Sequence, residues 1–234
     1  MRILILLLLV SLTAQAQKKK EIAVGYADTY DKLPSIKFHK SSKEDYDLCR
    51  QALRPVSLPL KEVNGHMLVP TKQGTVRLQK YTDSAKGDFR GYEYAGYFPG
   101  LKMYVVNSIH VAEHIGFSDR ILIDSTSGYQ YAIVSVGDDA VEIPVPSPDG
   151  NYILYYYNYV YEKNSCFVGI LNVSKTTHPA KRLSETMSFQ TKDWAVEEIR
   201  WKDNRTFMVK ASVTANENNQ QNVGYLYYTA QLNP

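Results

Sequence analysis

The sequence predicts an all-β protein, and three observations lead there. Stretches with helical periodicity are scarce, and the apolar residues fall instead in short runs broken by Gly, Pro, Asn and Asp. Val, Ile and Thr are spread throughout, and the chain holds 19 tyrosines, residue types that suit a pleated, half-buried surface. One plan of strand, turn, strand, polar stretch and strand recurs three times toward the C-terminus.

Taken in order, the chain opens MRILILLLLVSLTAQAQ. One Arg precedes an unbroken apolar run, Ile3–Val10, and Ala14-Gln15-Ala16 has the small-x-small form that signal peptidase reads. Residues 1–16 therefore read as a secretory signal peptide, with a mature chain from Gln17. The run is far too short to span a bilayer as a retained helix. Export implies a periplasmic or secreted location.

Residues 17–90 form an N-terminal region expected to pack on the repeats that follow. The helical candidate is Lys43–Leu53 (KEDYDLCRQAL), with Ser42 as N-cap and Asp45 at the capping-box position. Asn64-Gly65, between VSLPLKEV and HMLV, is a hairpin turn by composition.

Residues 91–234 carry the three units, at about 91–140, 141–192 and 193–234. The first contains YEYAGYFPGLKMYVV and ILIDSTSG, the second VEIPVPSPDGNYILYYY and GILNVSKT, the third VEEIRWKDNRTFMVKAS and GYLYYTAQ. Their turn pairs are Pro99-Gly100, Asp149-Gly150 and Asp203-Asn204, whose last residues are 50 and then 54 apart. From turn to the central Leu of the third strand, Gly100 to Leu122 is 22 residues, Gly150 to Leu171 is 21, and Asn204 to Leu226 is 22. A period near fifty with three or four strands per unit is blade-like. The alternative for so many short strands is a β-sandwich.

Ser147-Pro148-Asp149-Gly150 followed by NYILYYY resembles the blade motif of TolB-like β-propellers, and Leu122-Ile123-Asp124-Ser125-Thr126-Ser127-Gly128 resembles the end of a blade strand in that family. The resemblance covers roughly Gly91–Leu232 and implies a propeller-like repeat acting in protein–protein binding. It also implies that Pro148, Asp149 and Gly150 make a structural turn. Pro sets φ on entry, and Gly takes the positive φ that closes it. Three blades do not close a ring, so residues 17–90 are expected to add a further element. EIAVGY (Glu21–Tyr26) is the candidate to complete the third unit.

Chemistry-bearing patterns are few. His110, Glu113 and His114 have the order H-x-x-E-H of an inverted zinc-protease motif, which needs a helix to bring the two histidines within about 6 Å. The β-branched context KMYVVNSIHV predicts a strand, where residues four apart lie roughly 13 Å from one another, so no metal or other cofactor is expected. A nucleophile elbow, a phosphate loop and a dinucleotide fingerprint are all missing from the sequence, and nothing nominates a catalytic residue. Asp138-Asp139 with Glu142 lacks the carboxylate spacing of a calcium loop and reads as a solvated turn. Asn172-Val-Ser174 and Asn204-Arg-Thr206 match the glycosylation sequon.

Strand alternation across Tyr152–Tyr161 puts Tyr155, Tyr157, Tyr159 and Tyr161 on one face. Exposed, that row would stack sugar rings or a partner's apolar patch; buried, it would be the packing layer between neighbouring units. Trp194 and Trp201 read as core. Cys49 and Cys166 are candidates for a disulfide in an oxidising compartment, with two buried thiols as the alternative. The formal charge is +3, and +2 without Arg2, too near neutral to argue for nucleic acid or for an anionic membrane surface. The sequence thus predicts a non-enzymatic interaction or scaffold module with a protein or glycan partner. A carbohydrate-binding protein using the tyrosine row is the second reading, and a zinc-dependent hydrolase the third.

Overall fold

The computed structural model describes residues 20–25, 32–82, 89–112, 115–217 and 220–232, and among these residues sixteen strands, one short α-helix and one 3₁₀ turn form. The signal-peptide segment 1–16 lies outside the described residues. The strands are β1 (Glu21–Val24), β2 (His39–Ser41), β3 (Lys61–Val63), β4 (His66–Thr71), β5 (Gly74–Gln79), β6 (Phe89–Phe98), β7 (Met103–Ala112) and β8 (Ile115–Asp124). They continue with β9 (Gln130–Ile133), β10 (Val145–Pro146), β11 (Tyr152–Asn158), β12 (Cys166–Val173), β13 (Leu183–Thr191), β14 (Ala195–Trp201), β15 (Thr206–Glu217) and β16 (Gln220–Gln231). The helix, α1, is Lys43–Asp47, and the 3₁₀ turn is Pro179–Lys181. The protein is all-β.

Four sheets form. Sheet 1 has the order β1-β9-β8-β7-β6, sheet 2 β10-β11-β12-β13, sheet 3 β14-β15-β16-β2 and sheet 4 β3-β4-β5. All strand pairs are antiparallel except β1 with β9, which run parallel. Pro99-Gly100 lies between β6 and β7, Asp149-Gly150 between β10 and β11, and Asp203-Asn204 between β14 and β15. Asn64 and Gly65 take φ of 48° and 70° and make the tight two-residue turn from β3 to β4, where φ must be positive at both positions.

The sheets stack face to face, and burial shows which faces meet. Met67, Val69 and Leu78 of sheet 4 cluster with Tyr104, Val106, Ile121 and Ile123 on one face of sheet 1. The opposite face of sheet 1, through Met103, Val105, Leu122 and Tyr131, packs on Ile153, Tyr155, Tyr157 and Leu171 of sheet 2. The other side of sheet 2, with Leu154, Val168 and Ile170, packs on Val196, Trp201, Phe207 and Val209 of sheet 3. Trp201 Nε1 donates to the Val145 carbonyl at 3.1 Å and ties sheet 3 to sheet 2. Because sheet 2 is covered on both sides, β12 reads CFVGIL with every residue buried, a continuous apolar run rather than an alternating one.

The segment before sheet 4 works as a strap. Glu21–Val24 pairs with β9, the last strand of sheet 1's meander. Ser35 then bridges Ser188 on β13, the last strand of sheet 2, and the Ile36 amide donates to the Ser188 carbonyl at 2.9 Å. His39–Ser41 pairs with β16 in sheet 3. After α1 the chain crosses back, and Val56 pairs with Tyr97 on β6 through bonds of 2.8 and 2.9 Å. The strap thereby covers sheet edges that would otherwise present unpaired backbone groups.

Two expectations change here, and one open alternative is decided. The strand that completes the third unit's sheet is β2, not Glu21–Tyr26: Glu21–Val24 joins sheet 1, and Tyr26 lies outside the described residues. The helix stops at Asp47 rather than Leu53. Its cap is as read, with Ser42 Oγ accepting from the Asp45 amide at 3.1 Å, but Tyr46 is its only buried residue. Beyond Cys49 the chain peels away so that Ala52 reaches the core between sheets 2 and 3, and Pro55 biases the residue before it toward extended backbone. Of the two alternatives for the cysteines, the buried thiols hold: Cys49 and Cys166 are both buried and free. Cys49 packs with Tyr46 and Met208 on one face of sheet 3, whereas Cys166 lies among the residues on its other face, so the sheet itself separates the two thiols.

Candidate functional site

A cleft of about 800 Å³ lies at the turn ends of sheets 1 and 2. Its walls come from the β6–β7 turn (Gly100–Lys102), the β8–β9 turn (Asp124–Tyr129), the Ser-Pro-Asp-Gly turn, and the segment from Val173 to Arg182. Two of its walls are thus the turn-and-strand-end motifs legible in the sequence, brought together because sheets 1 and 2 stack with their turns on the same side.

Asp124 ends β8 and is 3% exposed. Its Oδ1 accepts from the Thr126 amide at 2.7 Å, while Gly128, at φ 71°, lets the chain return into β9. Its Oδ2 lies 3.1 Å from Arg182 Nε, an ion pair whose N–H direction falls short of a hydrogen bond. Arg182 Nη2 donates to the Leu101 carbonyl at 3.2 Å, so this one guanidinium links the β8 end, the β6–β7 turn and sheet 2. Beneath them Tyr131 is fully buried and donates to the Pro179 carbonyl at 3.2 Å. Burial pushes its hydroxyl up to about 12, with the Asp124 charge adding to the effect, so it stays a neutral donor.

Asp149 is held by its own turn. Its Oδ1 accepts from Ser147 Oγ at 2.7 Å and from the Asn151 amide at 3.1 Å; its Oδ2 accepts from Asn151 Nδ2 at 2.7 Å. Partial burial works to raise its pKa, but these hydrogen bonds outweigh it and hold the carboxyl below the usual range. Ser147 is buried and its Oγ also accepts from the Tyr152 amide at 3.0 Å, which starts β11. Gly150 closes the turn at φ 70°.

The tyrosines divide differently from the expected row. β11 ends at Asn158, whose side chain turns to sheet 3, donating to the Val196 carbonyl and accepting from the Val196 amide, both at 2.8 Å. Tyr155 and Tyr157 are buried against sheet 1. Tyr155 lies over Gly169, and its hydroxyl donates to Glu185. Tyr159 is half-buried, edge-on to Tyr157 at 5.4 Å, and Tyr161 is 89% exposed in the turn beyond the strand. The alternation therefore holds only as far as Asn158, and the four rings do not form one exposed surface.

His110 sits in β7 in register with Arg90 and Phe117, on extended backbone rather than a helix. Glu113 and His114 lie outside the described residues, among which no group of three or more His, Cys, Asp or Glu side chains has metal-binding proximity. Asp138 and Asp139 lie in the β9–β10 connection, where the Ser118 amide donates to the Asp138 carbonyl at 3.0 Å. Among the described residues no helix is long and apolar enough to cross a membrane.

Sequence reasoning missed Arg182 and Tyr131, which meet Asp124 only through the stacking of two sheets. A faint signal existed for Asp124, a carboxylate ending the apolar strand ILID. Comparison of the chain with protein-family models, curated proteins and solved structures finds no match.

Proposed function

We propose that the chain is an exported, non-enzymatic binding module, a propeller-like array of stacked sheets whose ligand or partner's chain end occupies the Asp124–Arg182 cleft. The observation that carries this reading is the state of the two cleft carboxylates. Asp124 is committed to Arg182 and to the Thr126 amide, and Asp149 to Ser147 and Asn151. A general acid or base needs a proton it can give or take near the working pH, and carboxylates saturated as acceptors serve architecture instead. The cleft volume of about 800 Å³ fits a compact organic ligand.

The propeller-like part of the reading is supported by the sequential face-to-face stacking of meander sheets and by the TolB-like turn at Ser147–Gly150. The completion of sheet 3 by β2 is supporting too, since an N-terminal strand often closes the last blade of such an array. Export is supported by residues 1–16 of the sequence. The tyrosine row offers little to a glycan reading, because Tyr155 and Tyr157 present no free ring face.

Two measurements test the proposal. Titration of a panel of sugars, carboxylates and phosphate esters, followed by amide NMR, is expected to shift residues around Asp124, Tyr131 and Gly150 with the ligand recovered unaltered. Turnover of the ligand, or shifts confined to other surfaces, overturns the binding reading. Mass spectrometry of the exported chain is expected to find Gln17 at the N-terminus, and retention of Met1–Ala16 overturns the export reading.

A further inference from the structure

We infer that the cleft between sheets 1 and 2 takes a small organic anion carrying two or more carboxylate or phosphate groups. The inference rests on the proposed binding function and specifies its ligand class. Four cations line the cleft, Lys20, Lys102, Lys175 and Arg182, against two carboxylates, Asp124 and Asp149. The lining thus sums to +2, on a chain whose formal charge is only +3 over all 234 residues.

The carboxylates do not cancel the lysines. Asp124 is spent on Arg182, and Asp149, ionised and wrapped by neutral donors of its own turn, offsets one lysine, which leaves the lining cationic by two charges. Among the described residues none of the three lysines is ion-paired with a carboxylate; Lys20 Nζ stands 5.7 Å from the Tyr129 ring centre, at the wall of the cleft. Clefts of one sign with low-dielectric walls concentrate counter-charged ligands.

Backbone geometry points the same way. Lys102 has φ of 57°, one of two non-glycine residues with positive φ among the described residues. That conformation favours Gly or Asn, and a long-chain residue holds it at a cost. Its backbone is fastened there: the Lys102 amide donates to the Pro99 carbonyl at 3.2 Å, and the Lys102 carbonyl accepts from Ser125 Oγ at 2.8 Å and from the Ser125 amide at 2.9 Å. A turn built for a small residue thus presents an ammonium group to the cleft. Thr126 and Ser174 also belong to the lining. Three lysines, which act as mobile point charges, match several separated anionic groups better than a single planar carboxylate.

The test uses the mature chain with three probes: citrate for carboxylates, inositol hexakisphosphate for phosphates, and raffinose as a neutral polyol of comparable size. Calorimetry at low salt is expected to show one-site binding of citrate or the phosphate ester, weakened by added NaCl. Lys102→Asn, which suits the left-handed turn, and Lys175→Gln are each expected to weaken binding roughly fivefold without lowering the melting temperature. Whichever anion binds more tightly identifies the source of the charge. Binding of neither anion, binding unchanged by both substitutions, or amide shifts outside the cleft would overturn the inference. Raffinose binding alone, with shifts in the cleft, would overturn the anion assignment while leaving the binding function standing.

Discussion

Leu171 on β12 and Leu226 on β16 lie 21 and 22 residues beyond their turn pairs, yet one is fully buried and the other 42% exposed. The same contrast holds for the glycines two residues earlier. Gly169 lies under the Tyr155 ring, whereas a methyl group added at Gly224 would meet only the Val213 carbonyl, at 4.0 Å. Register explains the difference. Leu171 faces Ile153, three residues past its turn, while Leu226 faces Ala211, seven past. The β15–β16 hairpin is longer than its counterpart in sheet 2; sheet 2 still reaches β15 at this level, where Ala211 is buried and Asn164 bonds to Thr214, but Leu226, across from Ala211 on β16, is left exposed. Equivalent sequence positions become equivalent environments only where a second layer is present to cover them.

Substitutions can break that contrast. Leu171→Ala opens a cavity between sheets 1 and 2 and is expected to cost about 2–5 kcal/mol in chemical denaturation. Leu226→Ala should stay within about 0.5 kcal/mol, and a cost near that of Leu171 would mean the arm is covered. Gly169→Ala places a Cβ 2.3 Å from Tyr155 Cζ, and overpacking of this kind costs about 1–3 kcal/mol. Gly224→Ala should be neutral by the same assay.

The turns of sheets 2 and 3 sharpen the comparison at a smaller scale. Ser147→Ala strips the Tyr152 amide of a buried acceptor and is expected to lower stability by about 1–2 kcal/mol. In sheet 3 Asp203 does this work alone, accepting from the Arg205 and Thr206 amides at 2.8 and 2.7 Å. Partial burial tends to raise the Asp203 pKa, but those bonds dominate and hold it below the usual range. The Asp149 and Asp203 contributions are therefore present above the unfolded carboxylate pKa near 4 and are lost as pH falls through the folded values. Thermal melts of Asp203→Ala should differ from those of the unaltered chain at neutral pH and converge with them in acid.

Glu185 has the opposite sign and the smallest expected effect. A bulge in β13 makes Glu185 the partner of Leu171 and turns it toward Tyr155. Burial raises its pKa, and the Tyr155 hydrogen bond offsets only part of that. The ionised form is thus disfavoured in the fold. The penalty is absent below the unfolded value near 4.3, develops as pH rises toward the folded value, and is complete above it. Glu185→Gln keeps an acceptor for Tyr155, so its melting temperature should exceed that of the unaltered chain at neutral pH, with the gap closing below pH 4. A gap that is unchanged in acid would show that charge is not the cause.

Much of the strand order was legible because hairpins announce themselves locally. Asn64-Gly65 and Asp149-Gly150 need positive φ where glycine or asparagine stands, and the apolar runs beside them set the strands. Pairings made by the strap were not legible. β1 lies parallel to β9 from more than a hundred residues away, with no turn between them to mark the contact, and β2 is three polar residues, HKS. The tyrosine faces were readable up to Asn158, where an amide reaching across to Val196 ends the strand and no periodicity records it. The cleft was half legible. Asp149 and Asp124 belong to recognisable turns, but Arg182 and Tyr131 join them only through packing between sheets.

The strap also has a consequence for the order in which the molecule is made. Its residues precede the strands whose edges they cover, β6, β9, β13 and β16, so those edges are synthesised later. The strap has to wait for its partners, and the partner of His39–Ser41, β16, follows every other strand of the three sheets. Sheets 1 and 2 can form from neighbouring hairpins as they emerge, while the fastening across all three sheets is a late, non-local step. Truncation near Gln220 should therefore leave sheets 1 and 2 able to form but the segment at His39–Ser41 without a place to dock.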